Sequence, residues 1–127
     1  MRAVDTNVLV RLVTRDNARQ VAAAEAFVSK GAWVSDLVLA EAVWVLAAVY
    51  ELTASQIVTA VEMLLNHKQL SIQDADTVTA ALDRYRRRPA VGFTDCLILE
   101  LARRAGHVPL GTFDRSLGSC ADAERLG

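Results

Sequence analysis

The sequence has few of the residues from which zinc sites and disulfide frameworks are built. Its two cysteines, Cys96 and Cys120, and its two histidines, His67 and His107, follow no CxxC or His-rich spacing. This spacing argues against a Cys/His zinc site. Two lone cysteines also provide no disulfide framework, so a reducing compartment is expected.

The sequence also lacks a strong net charge and a long apolar run. The formal net charge of −1 at pH 7 argues against a protein that holds nucleic acid through bulk positive charge, so such a partner would need a local patch. The most apolar stretch, residues 37–50, is too short to cross a bilayer. No signal peptide fits the N-terminus, and a cytoplasmic protein without membrane contact is expected.

Short apolar stretches alternate with helical patterns along the chain. Residues 2–4, 32–35, 70–72 and 108–113 predict four short strands, and residues 118–127 stay unassigned, with a short edge strand as one option. No Pro- or Ser-rich linker and no internal repeat interrupts the order. The sequence therefore predicts a single α/β domain over residues 1–127, with helices packed on a parallel sheet.

Polar residues indicate where the helices begin. Thr6, Asp16 and Thr94 are expected to cap three of them, because a side-chain oxygen can accept from the free N–H groups of the first turn. Thr53 and Gln56 have the spacing of a capping box, which predicts the start of a fourth helix.

The stretch at 37–50 differs from the other helical segments because it is apolar almost all round. Such a helix is expected to lie in the core, with Trp44 buried. Its one charged residue, Glu41, would then be a buried carboxylate, which is costly unless its charge is compensated. The compensation could come from an arginine such as Arg11 or Arg15, or from a bound cation.

Three other carboxylates stand where an apolar element begins or ends. Asp5 follows the first strand and Asp114 follows the last, and the carboxyl ends of parallel strands are where ligand crevices form. Asp95 lies in the first turn of a helix whose core side begins at once. Each of the three also has an ordinary explanation as a cap or turn residue.

Together with Glu41, these residues make a set of four acids from distant segments. If they converge, each pair about 5 Å apart repels by roughly 3 kcal/mol at an effective dielectric of about 20. A cation or shared protons would have to relieve that repulsion. Oxygen ligands without Cys or His favour Mg²⁺ or Mn²⁺ over zinc. Acidic sites of this kind suit phosphodiester hydrolysis.

The segments that carry these acids resemble the four motifs of PIN domains. Residues 4–9 (VDTNVL) resemble the first motif, residues 35–46 the second, residues 93–98 the third and residues 112–114 the fourth. The resemblance covers nearly the whole chain in order, and the compact form is most similar to VapC toxins. It implies a three-layer α/β/α fold with a central parallel sheet of four or five short strands.

The resemblance also implies roles for individual residues. Asp5, Glu41 and Asp95 would be the core metal ligands of a Mg²⁺- or Mn²⁺-dependent endoribonuclease, and Asp114 would bind a second metal or act through water. Three polar motif positions would hold the four catalytic acids in place. These positions are Thr6, Asn7 and Thr112.

The same resemblance implies a mechanism and partners. A metal-activated water would attack the RNA phosphodiester in line and leave a 5′-phosphate and a 3′-hydroxyl. The chain would be the toxin of a type II toxin–antitoxin pair, a homodimer whose cognate antitoxin blocks the acidic groove. The antitoxin would carry the DNA-binding module, so this chain would not read operator DNA itself.

An acidic pocket repels RNA, so nearby cations should help to position the backbone. The best candidates end a predicted helix, and they are Arg84, Arg86, Arg87 and Arg88. Basic residues in the last turn also favour the helix dipole, so the run has a structural explanation too.

Two other functions remain open on the residues alone. A catalytically silent binding protein could use the same PIN scaffold. A phosphoryl-accepting receiver-like module would also be an α/β fold with an early aspartate, but it needs a lysine near the C-terminal strands. Lys30 and Lys68 are the only lysines, and both are poorly placed for that role.

Overall fold

A computed structural model describes all residues, Met1–Gly127, and contains seven α-helices and five strands. The chain divides into two compact units, Met1–Ala75 and Asp76–Gly127, which are described in turn. No helix is both long and apolar enough to cross a bilayer. A single domain over residues 1–127 stays a prediction.

The first unit is a three-stranded parallel sheet with four helices. The strands are β1 (Arg2–Ala3), β2 (Ala32–Val34) and β3 (Leu70–Ile72), in the order β1-β2-β3. The helices are α1 (Thr6–Thr14), α2 (Ala18–Val28), α3 (Asp36–Ala48) and α4 (Ala54–Asn66). The three predicted strands of this segment are confirmed.

Buried residues of the sheet and of the helices form the core of the first unit. Ala32 and Val34 of β2 are fully buried, whereas Trp33 between them is 39% exposed, because successive strand residues point to opposite faces. Leu9 of α1 and Leu39 of α3 are buried, and these two helices pack against each other. Each of the four helices therefore contributes buried apolar residues to this core.

Helix α3 has one buried side and one exposed side, although apolar residues stand on both. Leu39 and Leu46 are fully buried, but Leu37 is 75%, Trp44 60% and Val49 65% exposed. The prediction that this helix and Trp44 lie in the core is therefore wrong. An all-apolar composition does not show which side a helix presents to the core.

Side-chain caps begin the helices of the first unit, at positions close to the predicted ones. Asp5 caps α1, one residue before Thr6, and Asn17 caps α2, one residue after Asp16. Asp16 instead accepts a hydrogen bond from Arg11 at 2.8 Å. The capping box at the start of α4 is confirmed, with both of its hydrogen bonds present.

The second unit contains a two-stranded parallel sheet. Its elements are α5 (Ala75–Arg87, which begins at the unit boundary), a 3-10 helix (Pro89–Val91), α6 (Phe93–Arg104), β4 (Leu110–Thr112), α7 (Arg115–Gly118) and β5 (Ala123–Arg125). Residues 118–127, which the sequence left unassigned, contain the short strand β5. The parallel α/β class is confirmed, while the five strands form a three-stranded and a two-stranded sheet where one central sheet was expected.

Helix α6 begins at Phe93 without a side-chain cap, so the prediction of a Thr94 cap is wrong. The residue before it, Gly92, has φ +85°, which L side chains rarely adopt, and its carbonyl accepts from the Cys96 N–H at 3.0 Å. A glycine therefore makes the entry turn of this helix.

Gly118 allows α7 to lie directly against β5. A Cβ atom at this position would stand 2.6 Å from Cβ and 3.1 Å from Cα of Arg125. Any larger side chain must therefore push the short helix and the edge strand apart.

We expect Gly118→Ala to lower the free energy of unfolding by about 1–3 kcal/mol, because the new methyl group overpacks this contact. Urea unfolding followed by circular dichroism measures the change. Gly111→Ala is the matched control, since its Cβ would meet only the flexible end of Leu126, at 3.3 Å. Equal losses in both variants would show that the close approach is not the cause.

Candidate functional site

Asp5 lies between β1 and α1, where it caps the helix. Its Oδ1 atom accepts a hydrogen bond from the Val8 backbone N–H at 3.4 Å, and its side chain is exposed. The cap occupies one carboxylate oxygen and leaves Oδ2 for a ligand. The structural and the functional interpretation of Asp5 are therefore compatible.

Glu41 lies on the outer side of α3 and is exposed. Leu37 and Trp44, four residues before it and three after it, are neighbours on the same exposed side. The burial on which its selection rested is therefore wrong. The arginine compensation is wrong as well, because Arg11 pairs with Asp16 at 2.8 Å and Arg15 with Glu25 at 3.3 Å.

Asp95 and Asp114, both in the second unit, interact through their charges. Burial and then the negative charge of Asp114 raise the pKa of the Asp95 carboxyl. Asp114 caps α7, since its Oδ1 accepts from the Leu117 N–H at 2.8 Å. A cation bound at Asp95 would compensate the negative charge that burial and Asp114 disfavour.

The polar motif residues differ in what they do. The Oγ1 atom of Thr112 accepts from the Asp114 backbone N–H at 3.0 Å, which fixes the turn that carries this acid. Thr6 is the half-buried first residue of α1. Asn7 is exposed and lines a cavity of about 380 Å³ between α1 and α2. Of the three, only Thr112 has a hydrogen bond to one of the acids.

The four acids suit a hard divalent cation by their donor chemistry, since all are carboxylates. In the first unit, Oδ2 of Asp5 takes no part in the helix cap. In the second unit, the negative charge of Asp114 acts on the Asp95 carboxyl. The structure does not gather three or more His, Cys, Asp or Glu side chains into a group that could hold a metal ion. The carboxylate chemistry fits the metal, and the assignment of all four acids stays a prediction.

The buried glutamate of this protein is Glu100, not Glu41. Glu100 is 3% exposed and binds Arg84 at 2.9 Å and Arg103 at 3.0 Å. These two cations hold the pKa of the Glu100 carboxyl below its ordinary value, although burial alone would raise it. The arginine three residues after Glu100 was the sequence signal for this pair.

The arginine cluster is mostly occupied by internal contacts. Arg84 is held by Glu100, Arg86 pairs with Asp83 at 2.8 Å, and Arg88 donates to Ser119 Oγ at 2.6 Å. Arg87 is exposed and has no ion pair. Arg87 is therefore the member best able to contact RNA, and RNA contact by the cluster stays a prediction.

A pair of carboxyl groups that sequence reasoning missed lies at the carboxyl ends of β2 and β3. Asp36 follows β2 and Asp74 follows β3, and Gln73 bridges the two segments by accepting from the Asp36 N–H at 3.0 Å. Burial, followed by the hydrogen bond and charge of Asp74, raises the pKa of Asp36 to about 6. Ser35 is the side-chain cap of α3, and Asp36 is the first residue of that helix.

Comparison with known proteins gives one family. The model of the PIN domain family matches residues 2–122, which is nearly the whole chain. The helices and parallel strands are consistent with the three-layer α/β/α fold of that family. Neither the curated proteins nor the solved structures give a match. The family match favours the PIN interpretation over the receiver-like one.

We expect Asp36→Asn to stabilise the protein at neutral pH and to have little effect in acid. The folded protein binds a proton at Asp36 up to about pH 6, whereas the unfolded chain releases it near the ordinary value of 3.8. This contribution to stability is therefore present below the unfolded pKa and is lost as pH rises through the folded one.

The measurement is the melting temperature of both proteins at several values of pH between about 4 and 7.5. Asp122→Asn, on the other unit, is the control for loss of a carboxylate. A gain of the same size in acid and at neutral pH would contradict a charge effect.

Proposed function

Because the chain belongs to the PIN domain family, we propose that it is a metal-dependent endoribonuclease. Domains of this family are generally nucleases, which supports phosphodiester hydrolysis. The choice of RNA as substrate and of Mg²⁺ or Mn²⁺ as the metal goes beyond the family match and is part of the proposal.

The observation that carries the proposal is the family match over residues 2–122, and the charge interaction between Asp95 and Asp114 agrees with it. Two motif acids from separate elements are close enough for the charge of one to raise the pKa of the other. Neither of them has an arginine or lysine partner among the ion pairs of the second unit. A pair of carboxylates without a cation is what a divalent metal site provides before the metal binds.

The proposal assigns metal binding and catalysis to Asp5, Glu41, Asp95 and Asp114. When bound, the metal supplies positive charge against the reacting phosphodiester and lowers the pKa of a coordinated water. The protein contributes position. The caps of α1 and α7 fix Asp5 and Asp114, and the Oγ1 atom of Thr112 fixes the turn before α7. Rigid acids let the site meet the substrate with little reorganisation.

We also propose that the protein is the toxin of a type II toxin–antitoxin pair, active in the cytoplasm as a homodimer. The support is the exposed apolar side of α3, on which Leu37, Trp44 and Val49 are open to solvent around Glu41. Apolar residues grouped in this way suit a protein partner. An antitoxin that covered this side of α3 would also cover Glu41, and inhibition would follow directly.

We expect the purified protein to cleave single-stranded RNA in Mg²⁺ or Mn²⁺, and Asp5→Asn to lower the rate by about 100-fold or more. Loss of one ligand removes several kcal/mol of charge stabilisation, and each 1.4 kcal/mol is about tenfold in rate. The assay follows a labelled RNA pool on a gel. Asp76→Asn, an exposed residue in the first turn of α5, is the control. Equal cleavage by both variants would point to a contaminating nuclease.

We expect Glu41→Gln to weaken Mn²⁺ binding by about 10-fold or more, because an anionic ligand becomes neutral. Isothermal titration calorimetry with the metal alone measures the affinity without any need for turnover. Glu51→Gln, three residues beyond α3 and likewise exposed, is the matched control. Unchanged affinity in Glu41→Gln would remove this residue from the metal site.

A further inference from the structure

A cavity lies between α1, the helix that Asp5 caps, and α2. Val8 donates its backbone N–H to the Asp5 carboxylate, and its side chain lines the cavity. The cavity has a volume of about 380 Å³, near the lower end of the range for small-molecule sites. Asp5 caps α1 two residues before the lining residue Asn7.

The apolar part of the cavity offers a surface for a flat ring. Val8, Ala24 and Phe27 contribute aliphatic and aromatic side chains. The guanidinium carbon of Arg2 lies 3.8 Å from the centre of the Phe27 ring and covers one of its faces. This contact holds the ring in place and covers one face, so a base in the cavity would stack on the opposite face.

The polar part of the cavity offers amide groups. The Oε1 atom of Gln20 accepts from Arg11 Nε, which fixes the amide and leaves its NH₂ group as a donor. Asn7, whose exposed side chain also lines the cavity, offers both a donor and an acceptor. Side-chain amides of this kind match the donor and acceptor pattern on the edge of a nucleobase.

Arg11, the one cationic residue in the lining, is poorly suited to bind a phosphate. The Nη1 atom of Arg11 already pairs with Asp16 at 2.8 Å and donates to Tyr50 Oη at 2.9 Å. A phosphate in the cavity would therefore meet a cation whose charge is already neutralised. The neutral part of a nucleotide suits this lining better than its anionic part.

We propose that this cavity is a base-binding subsite that receives one nucleobase of a single-stranded RNA whose neighbouring phosphodiester is held at Asp5. The inference rests on the proposed ribonuclease function and adds a position at which the enzyme reads its substrate. Stacking on Phe27 supplies most of the affinity, and the amides of Asn7 and Gln20 supply the preference between bases.

A helix of a protein partner fits the cavity less well. The hydrogen bond between Arg11 of α1 and Gln20 of α2 joins the two helices and limits the cavity on that side. A partner helix, about 10 Å across, would need more space than a cavity of about 380 Å³ offers. A single flat ring is accommodated with this bond intact.

The first experiment needs no catalysis. Nucleoside 5′-monophosphates are titrated into the metal-free protein, and the side-chain amide signals of Asn7 and Gln20 are followed by NMR. We expect shifts that differ between the four bases, and no shift with ribose 5-phosphate. Equal shifts with ribose 5-phosphate would mean a phosphate site, and no shift with any nucleotide would leave a protein segment as the occupant. Either result overturns the proposal.

The second experiment fills the cavity. Ala23→Trp places a large side chain in it from an exposed position, and Ala22→Trp places the same side chain on the same helix outside it. We expect nucleotide binding about 10-fold weaker in Ala23→Trp and unchanged in Ala22→Trp, because a stacked base contributes about 1–3 kcal/mol. Equal effects of the two variants would contradict the proposal.

These readouts separate the subsite from the proposed catalysis. Nucleotide binding with no RNA cleavage by the wild-type protein would retain the subsite and refute the nuclease. Cleavage whose base preference is the same in Ala23→Trp and Ala22→Trp would retain the nuclease and refute the subsite.

Discussion

The backbone N–H groups that begin a helix need an acceptor, and the arrangement of this protein's acids depends on how that need is met. Where a strand ends and a helix begins, a side-chain oxygen can accept a hydrogen bond from the free N–H groups of the first helical turn. Asp5 and Asp114 do this for α1 and α7. The requirement that stabilises the junction therefore also fixes a carboxylate at the carboxyl end of a strand, with its second oxygen available.

Local features of the fold could be predicted from sequence, whereas burial could not. The strands around Trp33 and Ser71 and the capping box at Thr53 depend on neighbours in the chain, and the structure has them. The environments of Glu41 and Glu100 depend on what packs against their helices. Both stand among apolar residues, yet only Glu100 is buried. Helix composition did not distinguish them, but the nearby Arg103 could have.

The candidate site shows the same division. Asp5, Asp95 and Asp114 could be selected because each lies where an apolar element begins or ends, whereas Glu41 was selected for a burial that it does not have. The order of the motifs agrees with the family match over residues 2–122. The pairing of Asp36 with Asp74 could not be selected, because it depends on the register of β2 and β3, which sets Val34 opposite Ile72. Likewise, Arg84 stands in a basic run in the sequence, but its partner Glu100 lies on another helix.

The exposure of Trp44 gives the protein an optical signal of its own. The chain has two tryptophans, Trp44 at 60% and Trp33 at 39% exposure, so the emission of both is that of indole in contact with water. Burial of either ring shifts its emission to shorter wavelength and protects it from soluble quenchers. Fluorescence of the unlabelled protein therefore reports directly on any event that covers α3.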